Sequence, residues 1–338
     1  MTVPSGAITI RDIARQAGVS VATVSRTLNA EPTVDPELAS RVRAAVAASG
    51  YVRNAAGRAL RRQVADVWAA IVPDLNPFYT GVVAEFENCA IENGYSVMLC
   101  NTNEDLARER RYVTTAASQL IAGAIMVVAS EQRSDLAPML EVKMPVVLFD
   151  REVRDYAGDS VVVDNELAGR LVAEHLLERG FERPACIAGP ADVTTTEGRL
   201  RGFAATLSAA GRPLAQAHVV RSPLSSSGAG RAVRSLLALD RPPDVVFATT
   251  GPLAAGAFQA LQEEGLSADG PLALVGHDDD QWMRIVHPAV TTVRQPIEEI
   301  GRVAGEMLLR RERGSDRPGS RRVLSPELVI RASTGRPR

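Results

Sequence analysis

Residues 8–29 read ITIRDIARQAGVSVATVSRTLN: two short apolar-periodic runs separated by QAGVS, with Arg26 set among small residues in the second. Thr9 is placed to cap a first helix whose apolar face is Ile10, Ile13, Ala14 and Ala17, and Asp12 three residues on gives a short capping box. Gly18 ends that helix. Ser20 caps a second, in which Val21, Val24 and Leu28 share one side while Ala22 and Arg26, four apart, share the other. Two helices joined by so tight a turn form a helix-turn-helix pattern. The small residues permit a close crossing, and Arg26 on the outer face can reach guanine O6 and N7 in a major groove, or a phosphate. On these residues alone, an ordinary helical hairpin with a solvated arginine is the alternative.

The flanking sequence weakens that alternative. VDPELASRVRAAVAASGY (34–51) has Asp35 as cap, Pro36 at the first helical position, and a stripe of Leu38, Val42, Ala45 and Val46 closed by Gly50. Three helices make a minimal core. YVRNAAGRALRR (51–62) follows, an Ala/Arg segment with one apolar side chain, Leu60, to expose; such a helix is marginal by itself.

Charge is distributed unevenly along the 338 residues. Residues 1–62 hold nine arginines against four carboxylates, a surplus of five, which leaves the remainder of a chain of net charge −2 at −7. A basic head on an acidic body is the asymmetry of a nucleic-acid-binding module joined to something else. Lys143 is the only lysine. Cys89, Cys100 and Cys186 match neither a disulfide framework nor a zinc site and read as reduced core thiols; no metal or cofactor is expected. The opening MTVPSGAITIRD lacks an apolar signal-like run, and no apolar stretch approaches the roughly 18 residues of a membrane span. A cytoplasmic protein without a membrane partner is expected.

From Val67 onward, short β-rich runs alternate with amphipathic helical stretches: VWAAIVP, YSVMLC, GAIMVVAS, PVVLFD, DSVVVD, PACIAG, DVVFATT, LALVGHDD and AVTTVRQ. The alternation predicts parallel sheets in two α/β lobes, with ligands at the carboxyl ends of the strands. The polar residues that follow the strands are therefore the site candidates: Asp74 to Tyr79, Asp150 and Arg151, Thr195 and Arg199, Thr250, and Asp278. Carboxylates that accept from vicinal hydroxyls, arginines that donate in a fork and aromatic faces suit a sugar or a related polyol or nucleoside. Trp282 could stack on a ring near Asp278, or serve as a partly buried structural residue. RRERGSDRPGSRR (310–322) reads as a solvated polar loop, and SPLSSSGAGR (222–231) as a serine-capped helix start, because it lacks the Gly-Lys-Ser/Thr ending of a phosphate loop. No Gly-x-Ser-x-Gly elbow or His-Glu-x-x-His pair is present, and the four histidines are scattered, so no enzyme is expected.

Residues 9–29 resemble the signature of the LacI/GalR family of bacterial transcription regulators almost position for position. NPFYTGV, VDNELAG, RLRGF, LVGHDD, PAVTTVRQP and LSPELVIRAS resemble the landmarks of its periplasmic-binding-protein-like core. The resemblance implies a three-helix DNA-binding head at 8–52 and a hinge helix and linker at 53–64. It implies an effector-binding and dimerisation core at 65–338, with lobe 1 at about 65–162 and 294–322 and lobe 2 at about 163–293 and 323–338. It further implies a homodimeric repressor on pseudo-palindromic operator DNA, controlled by a small-molecule effector. The implied DNA-binding residues are Thr9, Ser20, Val21, Ala22, Thr23, Ser25, Arg26, Asn29, Tyr51, Arg53, Asn54, Arg58 and Leu60, with Leu60 as a wedge into a base step. The implied effector-binding residues are Asp74, Phe78, Tyr79, Asp150, Arg151, Thr195, Arg199, Thr250, Asp278 and Trp282. Departures are Arg53 where the family has proline, Gly57 where it has alanine, and Thr250-Gly251 where many members have Asn-Asp. A solute-binding protein shares the core, but would need an export signal and no basic head.

Overall fold

A computed structural model describes residues 8–28, 33–51 and 64–335. Asn29, Arg53, Asn54, Gly57, Arg58 and Leu60 lie outside the described residues. The chain divides into two units near Ala65.

The first unit is built from α1 (Ile10–Ala17), α2 (Val21–Leu28) and α3 (Pro36–Ser49). Thr9 and Asp12 close the start of α1: the Thr9 N–H and hydroxyl donate to Asp12 Oδ2 at 3.0 and 2.6 Å. Gly18 ends α1 in the left-handed region at φ 63°, where a side chain is strained. Arg41 of α3 donates to the carbonyl of Ala17 at 2.6 Å, covering an acceptor the helix end leaves open. Ser20 Oγ caps α2 by accepting from the Thr23 N–H at 3.0 Å. Ile13, Ala14, Ala17, Val24, Val42 and Ala45 form the core. Val21 does not join Val24 in that core; it is exposed. At the first helical position it points away from α1 and α3, beside Ala22 and Arg26.

The second unit contains two six-stranded sheets. In lobe 1 the strands are β1 (Ala65–Val72), β2 (Ser96–Asn101), β3 (Ile121–Met126), β4 (Val146–Phe149), β5 (Asp159–Val163) and β11 (Arg321–Leu324), in the spatial order β11-β5-β4-β3-β1-β2. In lobe 2 they are β6 (Pro184–Ala188), β7 (Val219–Arg221), β8 (Val245–Ala248), β9 (Ala273–His277), β10 (Thr291–Arg294) and β12 (Glu327–Val329), in the order β12-β10-β9-β8-β6-β7. Pairing is parallel from β3 through β4 and β5 to β11, and from β6 through β8 and β9 to β10; β12 pairs antiparallel with β10.

Helices cover both faces of each sheet, which is why β3 and β9 are buried along their whole length. α4 (Pro77–Glu92) and α12 (Ile297–Glu312) cover one face of lobe 1, and α5 (Leu106–Ser118) and α6 (Ala137–Glu141) the other. In lobe 2, α9 (Ser226–Leu237) and α10 (Gly251–Glu263) cover one face, and α7 (Asn165–Glu178) and α8 (Thr194–Ala209) the other. Two short helices, α11 (Gln281–Ile285) and α13 (Ala332–Gly335), complete lobe 2. Glycines set the α7–α8 approach. A Cβ on Gly169 would lie 1.9 Å from the Arg199 carbonyl, and one on Gly202 would lie 2.0 Å from that of Glu166.

The chain crosses between lobes after Val163, after Arg294 and after Leu324. These crossings fall one or two residues beyond the expected 162, 293 and 322, because the strand pairings run on to those residues. The segment 310–322 is not simply a solvated loop. α12 continues to Glu312, β11 begins at Arg321, and Arg311 donates from Nε and Nη2 to the buried Asp159 at 2.6 and 3.1 Å. Ser225 does cap α9, accepting from the Gly228 N–H at 3.3 Å. Cys100 and Cys186 are buried free thiols, and Cys89 is half-buried. Among the described residues no helix is long and apolar enough to cross a membrane.

Candidate functional site

In the first unit the second helix presents an exposed face. Val21, Ala22 and Arg26 of α2 are exposed, Thr23 and Ser25 are half-buried, and the Arg26 side chain makes no ion pair or hydrogen bond among the described residues. Thr9 and Ser20 are exposed but serve as caps, and Tyr51 packs against the core edge. An exposed guanidinium in the last turn of such a helix, on a face of small side chains, can approach base edges closely.

The second unit has a cleft between its lobes, an open space of about 560 Å³ that includes solvent at its mouth. Nine of the ten effector-binding residues that the resemblance implied line it: Asp74, Phe78, Tyr79, Asp150, Arg151, Thr195, Arg199, Thr250 and Asp278. Trp282 does not. It packs beside Phe258 in the apolar layer of lobe 2, ring centroids 5.4 Å apart, because α11 turns that face inward.

Lobe 1 contributes from the ends of β1, β2 and β4. Asn76 caps α4 by accepting from the Tyr79 N–H at 3.1 Å, which sets Phe78 and Tyr79 on the first turn facing the cleft. The Tyr79 hydroxyl donates to Asp150 Oδ2 at 2.9 Å. Burial, reinforced by the Asp150 charge, pushes the Tyr79 phenol well above its ordinary range, so it remains a neutral donor. Arg151 is held by a forked pair of bonds to Glu104 at 2.8 and 2.7 Å, while its Nε has no hydrogen-bond partner among the described residues. Burial raises Asp74 above the usual carboxylate range against the pull of its bonds from Asn76.

Lobe 2 contributes from α8 and the end of β9. Arg199 donates to Asn165 Oδ1 at 2.8 Å and to the Thr249 carbonyl at 2.7 Å. Asp278 is wrapped by donors: the Gly251 N–H at 2.7 Å on one oxygen, His277 Nδ1 at 2.8 Å and Gln295 Nε2 at 2.6 Å on the other. Burial opposes its charge, yet those bonds and the nearby Arg199 hold the carboxyl well below its usual range. Burial and Arg199 lower His277, which leaves it neutral and donating from Nδ1. Asp150 and Asp278 both sit in the left-handed region, at φ 60° and 81°, a strained conformation that recurs at functional sites.

The Thr250-Gly251 departure has a structural reading. Thr250 caps α10, and a Cβ on residue 251 would lie 2.8 Å from Asp280 Oδ2 and 3.1 Å from Asp278 Oδ2, so glycine lets the carboxylate settle on the backbone N–H. Asn76, within the expected stretch from Asp74 to Tyr79, also lines the cleft, as do Glu104, Thr196, Leu224, Pro252 and Gln295, which were not among the expected residues. Asn165, through Arg199, and His277, through Asp278, act from behind it.

Comparison with known proteins joins the two units. The description "Bacterial regulatory proteins, lacI family" matches residues 9–54, and "Periplasmic binding protein-like domain" matches 173–334. The ribose operon repressor of Escherichia coli (strain K12) is 31% identical over 327 residues, covering 96% of this chain and 99% of that one. The chain belongs to the lacI family of bacterial regulatory proteins. The repressor PurR of Aliivibrio fischeri (strain ATCC 700601 / ES114) is 30% identical over 332 residues, 96% of this chain and 98% of PurR. Among solved structures, a complex of the regulator CelR with cellobiose is 29% identical with a TM-score of 0.73, covering 96% of this chain and 99% of that one. The lac repressor dimer bound to operator and the anti-inducer ONPF shares the fold, with a TM-score of 0.85 at 24% identity over 97% of this chain and 99% of that one. As a lacI-family member the protein is a DNA-binding transcription regulator with a helix-turn-helix head, and the relatives are repressors, not enzymes.

Proposed function

We propose that this protein is a cytoplasmic homodimeric repressor whose hold on a pseudo-palindromic operator is set by a small, neutral, hydroxyl-rich effector of the sugar class in the interlobe cleft. In this reading residues 8–52 bind DNA, with Val21, Ala22 and Arg26 toward base edges, residues 53–64 link them to the core, and the nine cleft residues hold the effector.

The cleft's charge pattern carries the proposal. Four carboxylates, from Asp74, Glu104, Asp150 and Asp278, face two guanidiniums, and Arg151 is already forked onto Glu104. No positive surplus is left for a phosphate or carboxylate, whereas acceptors at strand ends beside Phe78 and Tyr79 suit hydroxyls and the apolar side of a sugar ring. The family relative at the ribose operon and the cellobiose complex of CelR support the same class. Thermal melting with D-ribose, cellobiose, nucleosides and sugar phosphates tests it: a neutral sugar raises the midpoint, and a sugar phosphate that raises it further overturns the charge argument. A gel shift on genomic fragments with and without the stabilising sugar tests the regulatory half.

A further inference from the structure

Helix α8 carries Thr195 and Arg199 into the cleft, yet it starts without a cap of its own: Val193, the residue ahead of its first turn, accepts nothing with its side chain. Other helices of the same lobe cap themselves. Asp164 accepts from Leu167 at α7, Ser225 from Gly228 at α9, and Thr250 from Leu253 at α10. At α8 the acceptor comes from the other lobe. Glu131, on the loop after β3, accepts the Thr194 backbone N–H at 2.9 Å and the Thr194 hydroxyl at 2.8 Å, both on Oε1.

Glu131 is fixed on the lobe 1 side. Its carbonyl accepts the Arg154 N–H at 3.0 Å, and Ser130 and Ser134 exchange hydrogen bonds of 3.0 and 3.1 Å that close the turn around it. It stands beside the cleft, within electrostatic range of Arg151 and Asp150. The first N–H groups of a helix need acceptors. For α8 the protein supplies one only while the lobes are together, so the bond that completes the helix also ties it to lobe 1.

We propose that Glu131 is an inter-lobe latch and a positioning residue for the cleft: by capping α8 from lobe 1 it holds Thr195 and Arg199 against Asp150 and Arg151, and it releases when the cleft opens. Its consequence for ligand rests on the effector reading above, whereas the latch itself belongs to the free protein. Burial lifts the Glu131 carboxyl above its usual range while the Thr194 bonds pull it back, so an uncharged oxygen in the same place keeps the latch.

The test uses the full chain and the variants Glu131→Ala and Glu131→Gln. Without ligand, exchange of the Thr194 amide rises about tenfold in Glu131→Ala and less than about threefold in Glu131→Gln, with both melting near the parent. Thr194→Val adds nothing further in the Glu131→Ala background. With D-ribose as probe, calorimetry shows about tenfold weaker binding for Glu131→Ala and near-parental binding for Glu131→Gln. Unchanged Thr194 exchange in Glu131→Ala overturns the latch, and altered exchange with unchanged D-ribose affinity overturns the positioning role. If the parent protein takes up no D-ribose, the choice of that sugar as effector falls, and the exchange measurement still decides the latch.

Discussion

The two units divide labour between side chains in opposite ways. In the head, Ile13, Ala14, Ala17, Val24, Val42 and Ala45 hold the fold, while exposed Val21, Ala22 and Arg26 are free to meet a ligand. In the core, the candidate ligand-binding side chains are themselves buried members of the packing: Tyr79, Arg151 and Thr195 are each 5% exposed, Arg199 3% and Asp278 8%. A surface that recognises a large partner can keep stability and recognition on separate residues. A cleft that must exclude water around a small ligand puts both on the same ones, because a buried polar group left unpaired is expensive. Substitutions in the head should therefore separate binding from stability, and substitutions in the cleft should not.

The largest expected effect tests the second half of that contrast. Asp278→Asn offers one oxygen to three donors, so at least one of Gly251 N–H, His277 Nδ1 and Gln295 Nε2 loses its acceptor. We expect a loss of about 2–4 kcal/mol in urea unfolding together with loss of effector binding. The parent's share of stability from this carboxylate is present above the ordinary aspartate range and is lost only as pH falls through the depressed folded value, so it stays in place across the neutral range. A variant with parental stability but no ligand binding would break the contrast.

Arg26→Ala tests the first half. With no partner among the described residues, the side chain should leave the melting midpoint unchanged while operator affinity falls by about 1–3 kcal/mol. Equal loss on operator and random DNA would show that it touches only phosphate.

The same division explains what could be read in advance. In the head, cap, turn, core and recognition face lie within one contiguous stretch, and periodicity placed α1, α2 and α3, although it put Val21 on the apolar side. In the core, the strand-end rule found Asp74, Asp150 and Asp278 because acidic residues after apolar runs stand out. The same rule applied to every strand would have added Glu104 after β2, Asn165 after β5 and Gln295 at the end of β10. Thr196, Leu224 and Pro252 carry no such signal, because only the pairing of the two lobes brings them to the cleft. β7 and β11 escaped because they are three or four residues long and partly exposed, too short for a pattern to accumulate. Of the two readings of Trp282 the structural one fits, and sequence could not choose because adjacency to Asp278 says nothing about which way α11 turns.

A smaller effect is expected at Tyr79→Phe, which removes the bond to Asp150 and nothing of the ring packing on Phe78 and Phe149. Stability should fall by about 1 kcal/mol and sugar affinity severalfold, read by urea unfolding and calorimetry. A fall in affinity alone would make Tyr79 behave as the head's residues do, and would confine the coupling of fold and site to lobe 2.

The smallest effect sharpens the electrostatic part of the contrast. Asp280 lies across Gly251 from Asp278, and burial first and the Asp278 charge second push its carboxyl up to about 6. A raised folded value means that the folded state binds the proton more tightly than the unfolded chain, so stability falls as pH rises from the ordinary aspartate range through about 6 and the penalty is fully present above that. Asp280→Asn removes the charge and keeps the shape. It should raise stability at pH 8 by no more than about 1 kcal/mol, since water screens a half-buried group, and the gain should vanish toward pH 4. Melting of parent and variant at the two pH values measures the difference. A gain of the same size at both would place the strain in the packing around Gly251 rather than in the repulsion between the two carboxylates, and the three consecutive aspartates Asp278, Asp279 and Asp280 would then be a steric arrangement, with charge playing no part in their cost.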